Sequence, residues 1–307
     1  MSDSALPEPT LVELIERCLG EQARKYVLNK KTGGESSKKG NRYEDYFLVY
    51  KAAEIAVEYL QKGGKWPSLH GQVLGFVDDV VVKAVDKTEY FQLKNSPSIS
   101  WTKGDHPLET DFRYQFVIAS YLNEPAPTTD LVVSDETLRA KLEESIPELI
   151  KAHTSARYFP YGEGHLNRVV LESKHLQELL SFLSKSVNPT LDELEGVFGV
   201  LLIASCLHPD GEAVDTMLRS ANKRVPNLLR SLNVADLKQL IRADFTNTIA
   251  AIPGLTYAFD KGFFSWNAFG TSGIFPFDCS DAQFAQFQEI VVLKHPITFD
   301  DFEGLLP

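Results

Sequence analysis

The chain has 307 residues, 43% hydrophobic and 24% charged, the make-up of an ordinary folded protein with room for two modest domains or one large one, which excludes disorder as its default state. Its longest apolar run, VFGVLLIASCL at 197–207, falls far short of the roughly 20 residues of a membrane span, and MSDSALPEPT at the start lacks the basic-then-apolar pattern of a secretory signal, so the expected location is cytoplasmic. A net charge of −11 disfavours a nucleic-acid partner on average, because phosphate contacts rely on Lys and Arg.

Residues 11–28, LVELIERCLGEQARKYVL, carry apolar positions at helical spacing, and the Gly-, Ser- and Lys-rich NKKTGGESSKKGNR that follows predicts a loop. Here the charge average breaks down. Arg24, Lys25, Lys30, Lys31, Lys38, Lys39 and Arg42 face a single acid, Glu35, whereas Asp278, Asp281, Glu289, Asp300, Asp301 and Glu303 near the other end face only Lys294. A local positive surface near the N-terminus therefore survives an acidic total.

A second helix is predicted from about Tyr43, with Glu44, Lys51, Glu54 and Glu58 on one stripe and Gly63-Gly64 as its stop. Glu54 and Glu58 read as solvated. HGQVLGFV, DDVVVKAV and TEYFQLKN predict strands, the last two joined by a tight turn at DKT; one bent strand or two are equally open for the first pair. After the loop SPSISWTKGDHP, LETDFRYQFVIASYL predicts a helix, TTDLVVS (128–134) a buried strand, DETLRAKLEESIPELIKAH a helix and NRVVLES (167–173) another strand. That order describes an α/β domain over 1–173, a mixed central sheet flanked by helices. From 174 to 307, HLQELLSFLSKS, TLDELEGVFGVLLIASCL, EAVDTMLRSANKRVPNLLRSL and VADLKQLIRADFTNTIAAI are successive helical patterns, a mainly helical domain suited to regulation or assembly. Periodicity does not resolve the aromatic, Gly-rich YAFDKGFFSWNAFGTSGIFPFD. Cys18, Cys206 and Cys279, far apart and without CxxC spacing, read as buried free thiols.

Strand alternation puts Tyr90, Gln92 and Lys94 on one face of the third strand, and Asp79 on the same face as Val77 and Val81. On a wet face these would form an ordinary surface ion pair. On a covered one, a carboxylate, an amide and an ammonium persist only if they satisfy one another or hold a metal. Glu44 on the preceding helix completes an ordered set: Glu, then Asp, then Gln-x-Lys, on helix, strand and strand.

YEDYF, VDDVVV and YFQLKN resemble the active-site signature of the PD-(D/E)xK nuclease superfamily, in the Gln-x-Lys variant of Mrr-like restriction enzymes. TGGESSKKGNRYEDYF is similar to the Gly-rich loop and YE helix that open the nuclease module in effector endonucleases of bacterial antiphage defence. The likeness covers roughly residues 30–135 and implies a restriction-endonuclease-like core and DNA endonuclease activity. Carried over residue by residue, Glu44 and Asp79 would be carboxylate ligands of Mg²⁺ or Mn²⁺. Gln92 would supply an amide oxygen where many relatives have an acid, and Lys94 would hold or activate the attacking water. Asp78 is an auxiliary ligand that would compensate for the charge missing at 92. The products implied carry 5′-phosphate and 3′-hydroxyl ends. Lys38, Lys39, Arg42 and Lys103 are candidate DNA contacts.

The likeness further implies a prokaryotic defence role, with activity held back until the chain assembles as a homo-oligomer or docks on an ATPase of the SMC or HerA type. The alternative is a non-cleaving interaction subunit on the same fold. The seven histidines show no ligand or triad spacing, and FGTSG at 269–273 lacks the spacing of a phosphate loop, so no ATPase is expected.

Overall fold

The opening helical period continues further than the composition suggests. In the computed structural model, which describes residues 8–37, 42–104, 106–161, 166–207, 211–226, 228–232 and 237–307, helix α1 (Glu8–Leu19) is followed by α2 (Glu21–Ser37), so most of the expected loop is helix. Then come α3 (Arg42–Lys62), β1 (Ser68–Gly71), β2 (Val80–Lys83), β3 (Thr88–Lys94), α4 (Leu108–Tyr121), β4 (Pro127–Val133), α5 (Glu136–Glu144), β5 (Thr154–Tyr158), α6 (Leu166–Glu172) and α7 (Lys174–Leu183). Gly63 ends α3 at φ +72, its N–H bonded to the Tyr59 carbonyl, a backbone conformation that suits glycine.

The remaining elements are α8 (Leu191–Cys206), β6 (Glu212–Ala213), α9 (Val214–Arg224), α10 (Leu237–Leu240), α11 (Ala243–Ala250), β7 (Leu255–Asp260), β8 (Phe263–Ala268), β9 (Thr271–Ile274), α12 (Ala282–Lys294) and α13 (Phe299–Glu303). The chain divides into two compact units, Met1–Leu176 with Leu201–Met217, and Gln177–Val200 with Leu218–Pro307.

The first unit is built on a mixed six-stranded sheet in the order β5-β4-β3-β2-β1-β6. Pairing is antiparallel from β6 through β1 and β2 to β3, and parallel from β3 through β4 to β5. β3 is thus the strand at which the sheet changes sense, and every residue in it except Lys94 is buried. Both faces are covered. On one, Phe91 meets Phe47 of α3 edge-on at 5.2 Å. On the other, Val81, Tyr90, Leu131 and Val133 pack with Phe112 of α4, Trp101 and Leu142. Full burial of a side chain such as Phe91 contributes about 1.5–3 kcal/mol. The sheet therefore has no wet face at β3, and polar groups there must find partners.

Between β1 and β2 the chain forms an irregular excursion over residues 72–79, where a long strand was one expectation. It is closed by the N–H groups of Gln72 and Val73 donating to the carbonyls of Asp79 and Asp78 at 3.0 Å each. NRVVLES is not a strand but α6. Val169 and Val170 are both fully buried, and with Leu176, Leu180 and Leu183 they continue a helical spacing into α7. The strand at that place in the sheet is the polar TSARY of β5, which buries only Thr154 and Ala156.

In the second unit the aromatic, Gly-rich segment forms an antiparallel meander, β7-β8-β9, packed with α11, α12 and α13 around Phe245, Phe264, Phe275, Phe284, Phe287 and Phe302. The C-terminal region is otherwise helical, as its periodicity predicts. Cys279 is buried, Cys18 half-buried and Cys206 exposed, so the expectation of buried thiols fails at Cys206, at the end of α8. No helix among the described residues is long and apolar enough to cross a membrane.

Candidate functional site

The register of β2 on β3 aligns Val80 with Phe91 and Val81 with Tyr90. One step further along the same ladder, Asp79 lies across from Gln92 on the same face, and their side chains meet. Gln92 Nε2 and the Leu93 N–H (2.7 Å) both donate to Asp79 Oδ2, while Oδ1 takes no hydrogen bond among the described residues. Asp79 is 8% exposed and Gln92 1%, so the pair is interior. Lys94, two residues along on this face and half-buried, places its positive charge where it acts on Asp79.

The amide oxygen of Gln92 has a partner that the sequence reading left in a basic loop. Lys30 of α2 donates to Gln92 Oε1 at 2.9 Å and to the Phe76 carbonyl. Its Nζ also lies 3.0 Å from Asp78 Oδ1 and 3.8 Å from Asp111 Oδ2. Asp111, in the first turn of α4, accepts from the Tyr26 hydroxyl at 3.1 Å and lies 2.9 Å from His106 Nδ1, and the Tyr26 and His106 rings stack at 3.5 Å. Burial, with Asp78 alongside, pushes the Asp79 carboxyl up to about 6 against the pull of Lys94, the Leu93 N–H and Lys30. Burial likewise raises Asp111, opposed by Lys30 and His106. For Lys30 burial works against the charge, but Asp78, Asp111 and Asp79 outweigh it, and its pKa rises.

Gln115 of α4 is buried and fixes the 72–79 excursion. Its Oε1 accepts from the N–H groups of Phe76 (2.9 Å) and Val77 (3.3 Å). A Cβ on Gly75 would stand 2.8 Å from that oxygen, so the close approach needs glycine there. Glu44, in the first turn of α3, reaches the group at one remove: its Oε2 accepts from Gln72 Nε2, and the Gln72 N–H bonds to the Asp79 carbonyl. Arg42 and Lys103 are exposed, on the first turn of α3 and on the loop before α4. Lys38 and Lys39 lie outside the described residues.

The other face of β3 carries a second set of charges, Lys51, Glu89 and Asp130 of them buried, and it corrects the reading of Glu54 as solvated. Lys51 donates to Glu54 at 2.8 Å, with its Nζ 5.1 Å above the Phe91 ring. Tyr50 donates to the other Glu54 oxygen at 2.6 Å. Arg157 lies 3.1 Å from Asp130 and 3.6 Å from Glu89, with its guanidinium 5.4 Å from the same ring. Against burial, which would raise them, Lys51 and its neighbours hold Glu54 and Glu89 below the usual carboxylate range. Each charge here has its opposite, and the set ties α3, β3, β4 and β5 together. Glu58 is exposed and paired with Lys62 at 3.0 Å.

Among the described residues no group of three or more His, Cys, Asp or Glu side chains is arranged to hold a metal ion. The expected ligand types are present as two carboxylates and an amide. Asp79 Oδ1 is available, whereas the Gln92 oxygen faces Lys30. No protein-family model, curated protein or solved structure matches the chain.

Proposed function

We propose that this chain is a metal-dependent DNA endonuclease whose centre is Asp79, Gln92 and Lys94. The observation that carries the reading is the direct contact of Asp79 with Gln92, which leaves Asp79 Oδ1 open, with Lys94 next along the same covered face. That oxygen is not shut away from solvent, so a cation or substrate entering the site can engage it.

The donor types suit Mg²⁺ or Mn²⁺, which take hard oxygen ligands and retain several waters. Asp79 and Gln92 would hold the ion, with Glu44 reaching it from the first turn of α3 and Asp78 as auxiliary ligand; when bound it would polarise the scissile phosphodiester and offset charge on the leaving oxygen. The chain's own groups do the rest. Leu93 N–H and Gln92 Nε2 fix the Asp79 carboxylate so that Oδ1 points one way. Lys94 orients the attacking water and stabilises negative charge as it develops on the phosphate. Arg42, Lys103 and the basic segment around 24–42 supply the local positive surface that an acidic chain needs to approach DNA. The biological role proposed with this activity is prokaryotic antiphage defence in the cytoplasm, with the C-terminal region controlling activity through homo-oligomerisation or docking on an SMC- or HerA-type ATPase.

A second reading, a non-cleaving interaction subunit, is favoured by one observation: Lys30 holds the amide oxygen that the metal would use. Incubating plasmid DNA with the protein and Mg²⁺ or Mn²⁺, beside Lys94→Ala, separates the two. The nuclease reading expects nicking or linearisation that Lys94→Ala lowers at least a hundredfold. Cleavage indifferent to that substitution would remove the assigned site.

A further inference from the structure

The surroundings of Lys30 are those of a cation site with a cation in it. Four oxygens converge on Nζ: the Phe76 carbonyl, Gln92 Oε1, Asp78 Oδ1 and Asp111 Oδ2. All are hard donors of the kind that binds Mg²⁺, Mn²⁺ or Ca²⁺. Three N–H donors do not serve all four equally: Asp78, 7% exposed, meets Nζ through Oδ1 at 3.0 Å as an ion pair, whereas Asp111 Oδ2 stands 3.8 Å off. The other Asp111 oxygen is turned to His106 Nδ1 at 2.9 Å. Charge is also out of balance, since Asp78, Asp79 and Asp111 surround one lysine, with Lys94 at the edge.

We propose that Phe76 O, Asp78, Gln92 and Asp111 form a divalent-cation site of which the Lys30 ammonium is the built-in occupant, so that a metal ion binds only when α2 gives way. This rests on reading Asp79, Gln92 and Lys94 as a nuclease centre, and it assigns that centre its restraint. Lys30 is displaceable because of where it sits. It lies on α2, outside the sheet, and α2 is held by the small apolar cluster of Ala23 and Val27 with Leu14, Ile15, Phe76 and Ile118, together with the Tyr26–Asp111 hydrogen bond. A tethered ammonium competes at an effective concentration on the order of millimolar or more, so a free ion must be abundant, or α2 must be drawn off, before it enters. A doubly charged ion with several coordination positions would engage the oxygens that three N–H donors leave unserved.

The test is Mn²⁺ binding to the full chain, followed by electron paramagnetic resonance and calorimetry, for wild type, Lys30→Met and Lys30→Met/Asp111→Asn. Lys30→Met keeps the apolar stem and removes the charge. It should bind one Mn²⁺ at least tenfold tighter than wild type, and the added Asp111→Asn should reverse most of the gain. A cooperatively folded Lys30→Met that binds Mn²⁺ no tighter than wild type would overturn the proposal. If Lys30→Met does not fold, hydrogen exchange of wild type decides. Saturating Mn²⁺ should speed exchange across Glu21–Ser37, and unchanged exchange overturns the proposal. The plasmid assay keeps the two ideas apart. Tighter Mn²⁺ binding without Lys94-dependent cleavage would retain the cation site and reject the nuclease, and the converse pattern would do the reverse.

Discussion

Asp79 is held protonated more readily in the fold than in the unfolded chain, because burial and Asp78 raise its carboxyl to about 6. A folded pKa above the unfolded one gives stability that is complete below about 4 and lost as pH rises through about 6. At neutral pH the ionised carboxylate is therefore a cost that the fold bears. Asp79→Asn keeps an oxygen able to accept from Gln92 Nε2 and the Leu93 N–H. In the presence of EDTA it should stabilise the protein by ~1–3 kcal/mol at pH 7.5, with the gain shrinking steadily toward pH 4, and it should abolish cleavage. Thermal melts across that pH range check the first part; a destabilised Asp79→Asn at pH 7.5 would mean the carboxylate is structural. At this scale half of the site was legible. Period-two alternation puts Gln92 and Lys94 on one face of β3; that Asp79 shares this face follows only from the register of β2 on β3. Nothing local marks Lys30, whose partners Phe76 and Gln92 are 46 and 62 positions away and are brought to it only by the packing of α2 against Phe76 and α4.

Among the elements, the one that sets the geometry of the site is not regular at all. Residues 72–79 carry Phe76, Asp78 and Asp79 to their places and are pinned by Gln115 from α4. Gln115→Leu would leave two buried N–H groups without an acceptor, a loss of about 2–4 kcal/mol measurable by chemical denaturation, and it should lower cleavage more than distant core substitutions of equal cost. If activity fell only in step with stability, Gln115 would have no positioning role. HGQVLGFV reads as strand because Val73, Leu74, Phe76 and Val77 crowd into five positions. The excursion forms instead because Gly75 lets its backbone approach Gln115 and because Phe76 turns into the apolar cluster with Val27. NRVVLES fails for a related reason: two adjacent valines suit either a buried strand or a buried helix turn, and only the continuation through Leu176 and Leu180 distinguishes them.

For the whole molecule, periodicity placed a boundary at 173, while the chain returns to the first unit over Leu201–Met217. β6 pairs with β1 at Ala213 and Glu212, the Val214 N–H bonds to the Pro67 carbonyl at 3.0 Å, and Val214 and Met217 are buried. A fragment ending at 173 leaves the edge of β1 open, which invites association between copies. It should melt lower and aggregate more than a fragment ending at 217, by thermal scanning and size-exclusion chromatography; equal behaviour would show that the returning segment adds nothing to the first unit. Two residues of strand at β6 give a periodicity argument nothing to work with, which is why the return was not legible.

The position of Lys30 in the chain has a consequence for the growing polypeptide. The ammonium is synthesised first, and Phe76 and Gln92 leave the ribosome 46 and 62 residues later. At no stage of translation do those oxygens exist without the ammonium that donates to them in the fold.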